Sequence, residues 1–308
     1  MMKPRKTIAA GEITGTRGTF VPPEFGVTVL GSSHGFDPTA STSGYIFWIN
    51  SRGIMVDPPP FSTMLLSEHG ISSKFIGSVI ITHCHADHDA GTFQKILSEN
   101  KIEIITTPTI MSSFVRKFSA LTGEPADTLK RLFKFRPVLI GAPLRVHGGV
   151  FNFFYSIHTI PSLGFEIKYG DKSLYFSGDT LNDPTRIWEM YDAGILPAGR
   201  RDFFLNYDWH HDLILHEAGV PPIHTPIQRL MELPFEVKER ILVVHVATKD
   251  IPPDSGIKQP KTGIENTIDL NVQLPKFADA IRILDIFANM EMFQDLSIRH
   301  ARDLLAFA

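Results

Sequence analysis

Cysteine is almost missing from this chain: Cys84 is the single one in 308 residues, so no internal disulfide can form. Strong charge of either sign is missing too. With 30 basic and 33 acidic residues the net charge is −3, which excludes a general attraction to nucleic acid or to an anionic membrane surface. No run approaches the roughly 20 apolar residues needed to cross a bilayer. Lys3, Arg5 and Lys6 are followed by no apolar stretch, so the first ten residues do not read as a secretory signal. Repeats and low-complexity tracts are lacking as well. These absences predict a soluble protein of a reducing compartment, the cytoplasm, with no membrane partner.

What the chain does have is a dense group of metal-ligand side chains. Thr82-His83-Cys84-His85-Ala86-Asp87-His88 places three imidazoles and a carboxylate within six positions. Upstream, Ser78-Val79-Ile80-Ile81 reads as a short buried strand. Downstream, Asp89-Ala90-Gly91-Thr92 opens a helical pattern carried by Phe93, Ile96 and Leu97. The donors therefore sit on a strand-to-helix loop, where a rigid scaffold presents them to substrate. A histidine-rich polar turn is the bland alternative, but such spacing rarely arises without a metal to satisfy it. Imidazole with carboxylate suits zinc, and also manganese or iron.

The rest of the chain reads as alternating strands and helices. Strands are expected at Gly26–Leu30, Tyr45–Ile49 and Gly53–Asp57, the last two joined by a turn at Asn50-Ser51-Arg52. Pro58-Pro59-Pro60 stops that pairing, and Phe61–Ser67 reads as a short helix. Two amphipathic helices are predicted over residues 109–121 and 125–134, broken by Gly123-Glu124-Pro125. Further strands are expected at Leu144–Val146, Phe151–Phe154, Phe165–Lys168, Ser173–Phe176, Leu213–Leu215 and Ile241–Val244, with a helix at Thr185–Tyr191. Ile251–Gln259, with two prolines and a Ser-Gly, reads as a connector. A boundary near residue 270 separates a body, residues 1–270, from a helical extension, residues 271–308.

Three distant residues share one setting, an apolar strand followed by a ligand-type side chain. His158 follows Phe153–Ile157, Asp179 follows Leu174–Gly178, and His245 follows Ile241–Val244. A buried histidine satisfied by a hydrogen bond would explain any one of them. Their joint occurrence with the first motif points to a shared metal site.

These motifs resemble those of the metallo-β-lactamase fold superfamily, and within it the tRNase Z and phosphodiesterase-like branch. Thr82–Gly91 resembles the signature loop, and Ser177-Gly178-Asp179-Thr180 the bridging-aspartate motif. His216-Glu217-Ala218 resembles the His-Glu-Ala motif, His224-Thr225 the histidine motif after it, and His245 the last ligand. The resemblance implies an α/β fold, an αββα sandwich with a two-metal site at one edge. It also implies that His83, His85, His158 and Asp179 hold one divalent ion. Asp87, His88, Asp179 and His245 hold the other, with Asp179 bridging. One departure stands out. No glycine- and proline-rich basic insertion is present to serve as the exosite arm of tRNA-processing members. The segment from Thr180 to Leu213 is instead longer than the compact version, and reads as a surface elaboration or a wall facing substrate.

Two ions roughly 3.5–4 Å apart lower the pKa of a shared water from ~15.7 towards ~7 and clamp an anionic ester. Under this reading Asp87 orients the attacking hydroxide, His224 gives a proton to the leaving oxygen or holds a phosphate oxygen, and Glu217 supports His224. Diiron members carry Glu where this chain has His85, which favours a hydrolytic site with two ions, zinc first. Cys84 is expected to pack away from the ligands. His34 reads as a solvated loop side chain or as one that reaches the site mouth, and Asp57 equally as a support for the site or a turn cap.

The last forty residues carry the clue to substrate. Ile283–Phe287, Met292–Ser297 and Ala301–Leu305 resemble the opening helices of a cyclic-nucleotide-binding domain, without its phosphate-binding cassette. The resemblance implies a 3′,5′-cyclic-nucleotide phosphodiesterase acting on a small phosphodiester. The alternatives are a tRNase Z-like RNA 3′-end endonuclease, the only reading with a nucleic-acid partner, and a metal-binding regulatory protein without catalysis. The apolar side chains of that segment are too many for a free tail and make a homodimer through the C-terminal helices an expectation.

Overall fold

The structure is a computed structural model that describes residues 20–71, 75–99, 102–207 and 209–274, with isolated positions beyond. The expected helices after residue 278, and the dimer built on them, fall outside these residues.

Two sheets face each other. The first begins with β1 (Phe25–Gly31), β2 (Gly44–Ile49) and β3 (Arg52–Val56), an antiparallel meander in which β2 and β3 turn through Asn50 and Ser51, both at positive φ. From β3 the chain switches to parallel crossovers. α1 (Ser62–Glu68) leads to β4 (Ser78–Ile80), α2 (Ala86–Ser98) to β5 (Ile102–Thr106), and α3 (Pro108–Thr122) with α4 (Ala126–Leu129) to β6 (Phe133–Pro137).

The second sheet contains β7 (Leu144–Val146), β8 (Gly149–Tyr155), β9 (Leu163–Tyr169) and β10 (Lys172–Phe176), again an antiparallel meander. Helices α5 (Pro184–Asp192) and α6 (Ala198–Leu205) then cross to β11 (Leu213–Glu217). α7 (Ile227–Met231) and α8 (Phe235–Lys238) cross to β12 (Ile241–Val244), both crossovers joining parallel strands. A short β13 (Ile268–Asp269) returns to pair with β1. The orders are β13-β1-β2-β3-β4-β5-β6 and β12-β11-β10-β9-β8-β7.

Between the sheets lies an aromatic core. Phe47 meets Phe165 at 5.3 Å and Phe176 at 5.7 Å between ring centroids, and Tyr45 meets Phe176 at 5.0 Å, all edge-on. Such pairs add about 0.5–1.5 kcal/mol each beyond burial of their area. With the inner faces filled, the crossover helices cover the outer ones, giving the expected αββα sandwich.

Two expectations change, and one strand is new. The helix predicted over 125–134 stops at Leu129, and Phe133 enters β6. There Lys134 and Arg136 alternate with the phenylalanines and both reach Glu103 of β5, so the pattern has a period of two. β5 carried no expectation, although its Ile102, Ile104 and Ile105 are buried. The connector Ile251–Gln259 is not loose: the carbonyl of Lys258 accepts from the amide of Val243 at 2.8 Å, closing the open side of β12. Among the described residues, no helix is long and apolar enough to cross a membrane.

Candidate metal centre

The predicted donors lie beyond the C-terminal ends of strands, His83 and His85 in the loop after β4, Asp87 and His88 in the first turn of α2, and those ends gather on one edge of the sandwich. Asp57, directly after β3, is fully buried and adopts φ 46. Its carboxylate accepts from the Thr82 amide at 2.9 Å, from the Thr82 hydroxyl, and from His88 Nδ1 at 2.9 Å. Because the Thr82 hydroxyl donates to Asp57, its oxygen is left to accept from His83 Nδ1, 3.0 Å away. One carboxylate thus fixes the tautomers of two imidazoles and turns both Nε2 lone pairs inward.

The second sheet repeats this device. His158 Nδ1 donates to the Ile223 carbonyl at 3.3 Å, leaving Nε2 free. The Ser43 hydroxyl donates to the Ser33 carbonyl and accepts from His245 Nδ1 at 3.1 Å. Asp179 follows Gly178, whose φ of 58 and 2.1 Å gap between an ideal Cβ and the Leu163 carbonyl oxygen admit only glycine.

The free nitrogens converge in two sets. His83, His85, His158 and Asp179 form one group, and Asp87, His88 and His245 another, with the ligand atoms of each within 4.8 Å of one another. His85 Nδ1 lies 3.1 Å from His83 Nε2 and 3.2 Å from His158 Nε2. Tetrahedral zinc with Zn–N of about 2.0–2.1 Å sets its ligand nitrogens about 3.3 Å apart. Asp179 Oδ2 faces both groups, 3.6 Å from His83 Nε2 and 3.3 Å from the Nε2 atoms of His88 and His245. His88 Nε2 is buried without a hydrogen-bond partner, a cost that a bound cation removes. The donor set fits divalent metal ions, and places Asp179 between the two groups.

The electrostatics agree. Burial keeps His83 well below the ordinary imidazole range, lowers His85, and brings His158 and His245 each down to about 4, so these rings are neutral and ready to coordinate. Burial opposes ionisation of Asp179, but His245, His88 and His83 around it outweigh that and hold its carboxyl well below the usual range. His88 moves the other way, because Asp179 and Asp57 outweigh its burial.

Beside the donors, Glu217 at the end of β11 ties two loops together. Its Oε1 accepts from the amides of Thr180 and Thr225, and its Oε2 lies 3.1 Å from His224 Nδ1. The His224 ring sits 5.1 Å from that of His245 and 5.4 Å from that of His158. Cys84 turns away, its thiol directed at the Ile110 carbonyl and pushed up to about 12 by burial. His34 is not simply solvated: its ring lies 6.4 Å from that of His245, and the next residue, Gly35, donates its amide to Asp87 Oδ2 at 3.0 Å. The long segment after Asp179 packs Leu181, Ile187, Leu196 and Phe204 against Ile157, directly behind His158, rather than decorating the surface. Ser43 and Gly35 carried no signal in the sequence, since a serine or glycine in a polar loop is commonplace.

Residues 25–260 match the profile of the Anti-Pycsar protein Apyc1 family. The chain belongs to that family. Over 289 residues, 94% of its length, it is 49% identical to the cGMP-dependent 3′,5′-cGMP phosphodiesterase A of Dictyostelium discoideum. Over 282 residues, 90% of its length, it is 40% identical to the cAMP/cGMP-dependent 3′,5′-cAMP/cGMP phosphodiesterase B of the same organism. The chain spans 33% and 26% of the lengths of these two relatives. Among solved structures, the metallo-β-lactamase fold protein YhfI from Bacillus subtilis superposes with a TM-score of 0.57 at 17% identity, over 77% of this chain and 96% of that one. This member of the Apyc1 family therefore has the metallo-β-lactamase fold, as its motifs imply.

Proposed function

We propose that the chain is the catalytic body of a 3′,5′-cyclic-nucleotide phosphodiesterase, opening the cyclic ester by direct attack of water. The observation that carries this reading is a double donor site in a chain 49% identical, along 94% of its length, to a protein named for that reaction. Two divalent ions, zinc or in its place manganese or iron, supply Lewis acidity towards the phosphate and the attacking water. His83, His85, His158 and Asp179 would hold one, and Asp87, His88, Asp179 and His245 the other.

The chain's own groups do the rest. Asp87, with Oδ2 fixed by the Gly35 amide, accepts a hydrogen bond from the water and aims it at phosphorus. His224 donates its proton to the departing ribose oxygen. Glu217 keeps His224 charged: burial opposes the charge, but the facing carboxylate outweighs it and raises the imidazole above its ordinary range. No covalent intermediate forms. The same reading places the protein in the cytoplasm, treats residues 1–270 as the catalytic body, and takes residues 271–308 as the opening of a cyclic-nucleotide-binding module whose apolar face pairs two copies.

The test compares cAMP, cGMP, bis(p-nitrophenyl) phosphate and precursor tRNA as substrates of the full chain. Hydrolysis of a cyclic nucleotide in heavy-oxygen water should place one label in the 5′-monophosphate within a single turnover. Cleavage of precursor tRNA with both cyclic nucleotides untouched overturns the reading in favour of a tRNase Z-like nuclease. A trapped phosphoryl-enzyme overturns the direct attack.

A further inference from the structure

Phe36 is the most exposed large apolar side chain among the described residues, at 95%. Single exposed apolar residues are ordinary and by themselves signify nothing. This one differs in how firmly, and where, its backbone is held. The loop between β1 and β2 is closed on itself by the amide of Ser33 donating to the Ser41 carbonyl and that of Ser43 donating to the Ser33 carbonyl, at 3.2 and 2.9 Å. Asp37 clamps its tip, accepting from the Ser33 hydroxyl at 2.7 Å and from the amide and hydroxyl of Thr39 at 2.9 and 2.6 Å. The Phe36 amide donates to His34 Nδ1 at 3.2 Å.

The same loop is bound to the donor site on both sides of Phe36. Gly35 donates to Asp87 Oδ2, and an ideal Cβ on Gly35 would lie 2.7 Å from that oxygen, so no larger residue fits there unless Asp87 moves. On the other side, the Val246 amide, next to His245, donates to the Ser32 carbonyl at 3.0 Å. The His34 ring lies 6.4 Å from Phe36 and 6.4 Å from His245. A bare aromatic side chain thus projects from a loop tied to the site, one ring beyond the donors.

We propose that Phe36 is the stacking surface for the nucleobase of the substrate, a specificity-determining residue that holds the base while the phosphate meets Asp87 and the ions. The proposal rests on the cyclic-nucleotide reading above. Stacking needs only a flat π-face, so it accepts adenine and guanine alike and favours purines over the smaller pyrimidines. The loop loses little freedom on binding because it is already fixed, so the stacking energy appears as affinity.

The experiment uses the full chain, Phe36→Ala and Phe36→Trp, with cAMP, cCMP and the base-free ribose 3′,5′-cyclic phosphate. Phe36→Ala should raise KM for cAMP roughly tenfold with little change in kcat. That corresponds to about 1.4 kcal/mol, within the range of base–aromatic stacking. The preference for cAMP over the base-free ester should fall by the same factor, and Phe36→Trp should retain it. In Phe36→Trp, cAMP should quench fluorescence beyond the level of the parent chain, which carries three tryptophans elsewhere, and the base-free ester should not. An unchanged KM for cAMP, or an equal rise for both esters, overturns the proposal, the second outcome assigning Phe36 to loop support. The fluorescence titration reads base binding whether or not hydrolysis occurs. A chain that binds cAMP at Phe36→Trp but does not cleave it refutes the function and not the stacking.

Discussion

The seven-stranded sheet delivers its donors in one stretch, His83 to His88 behind β4, whereas the six-stranded sheet delivers one donor behind each of β8, β10 and β12. In the first half the imidazoles lie within a few residues of one another, and Asp57, through Thr82 and directly, fixes His83 and His88 together. In the second half, His158, Asp179 and His245 are brought together by strand order and register, and each has its own support. The halves are locked at the site by backbone bonds, Leu163 N to Thr82 O at 3.0 Å and Val246 N to Ser32 O at 3.0 Å. Asp179 Oδ2 is the atom that faces both donor groups. The arrangement predicts that damage to the shared support of the first half's donors spreads across both ion positions, while damage to the support of a second-half donor stays with one.

The largest effect should come from the shared atom. Asp179→Ala removes it and should reduce phosphodiester hydrolysis by at least ~10²–10³-fold, the loss seen when a stabiliser of developing charge is deleted. Steady-state kinetics would check this, and activity within tenfold would break the claim that both donor groups share that atom. The next test contrasts supports. Asp57→Asn should weaken retention of both ions, at the upper end of the ~10–100-fold range for groups that orient ligands, because it holds both His83 and His88. Ser43→Ala, which frees only His245, should weaken one ion by roughly tenfold. Metal titrations showing equal effects would erase the distinction.

Glu217→Gln probes the same contrast closer to the chemistry. Glutamine still accepts from the Thr180 and Thr225 amides but offers His224 no charge. The expected result is a kcat about tenfold lower with KM and metal content nearly constant. A change confined to KM would instead make His224 a binding group.

The smallest effect concerns His147, away from the site. Burial, with Arg52 and Arg136 nearby, lowers it to about 4. Its folded value lies below its unfolded value near 6.5. Stability is therefore complete above that pH and declines as the pH falls towards 4, where the unfolded chain binds a proton that the native chain refuses. His147→Asn, which tolerates the φ of 51 there, should flatten this decline in urea melts. The site histidines, once loaded, should not contribute a similar slope.

The same contrast explains what the sequence reveals. The first donor stretch is visible because its spacing is the motif. The single donors of the second sheet are visible only because each ends an apolar strand and because the first stretch gives them a purpose. Residues 133–137 mislead because Leu129, Leu132 and Phe133 imitate a helical face, and only the open edge of β5 and Glu103 reveal a strand. Ser43, Gly35 and the paired role of Asp57 could not be read, since a hydroxyl, a missing Cβ and a backbone amide act through distances that no spacing in the chain encodes.

The central claim is that both halves converge on Asp179 to hold two ions. Elemental analysis of the reconstituted full chain tests it most directly, alongside His158→Ala and Asp179→Ala. The account predicts two ions per chain, about one in His158→Ala, and fewer than one in Asp179→Ala. A parent chain holding one ion or none, or an Asp179→Ala protein that still holds two, would contradict it.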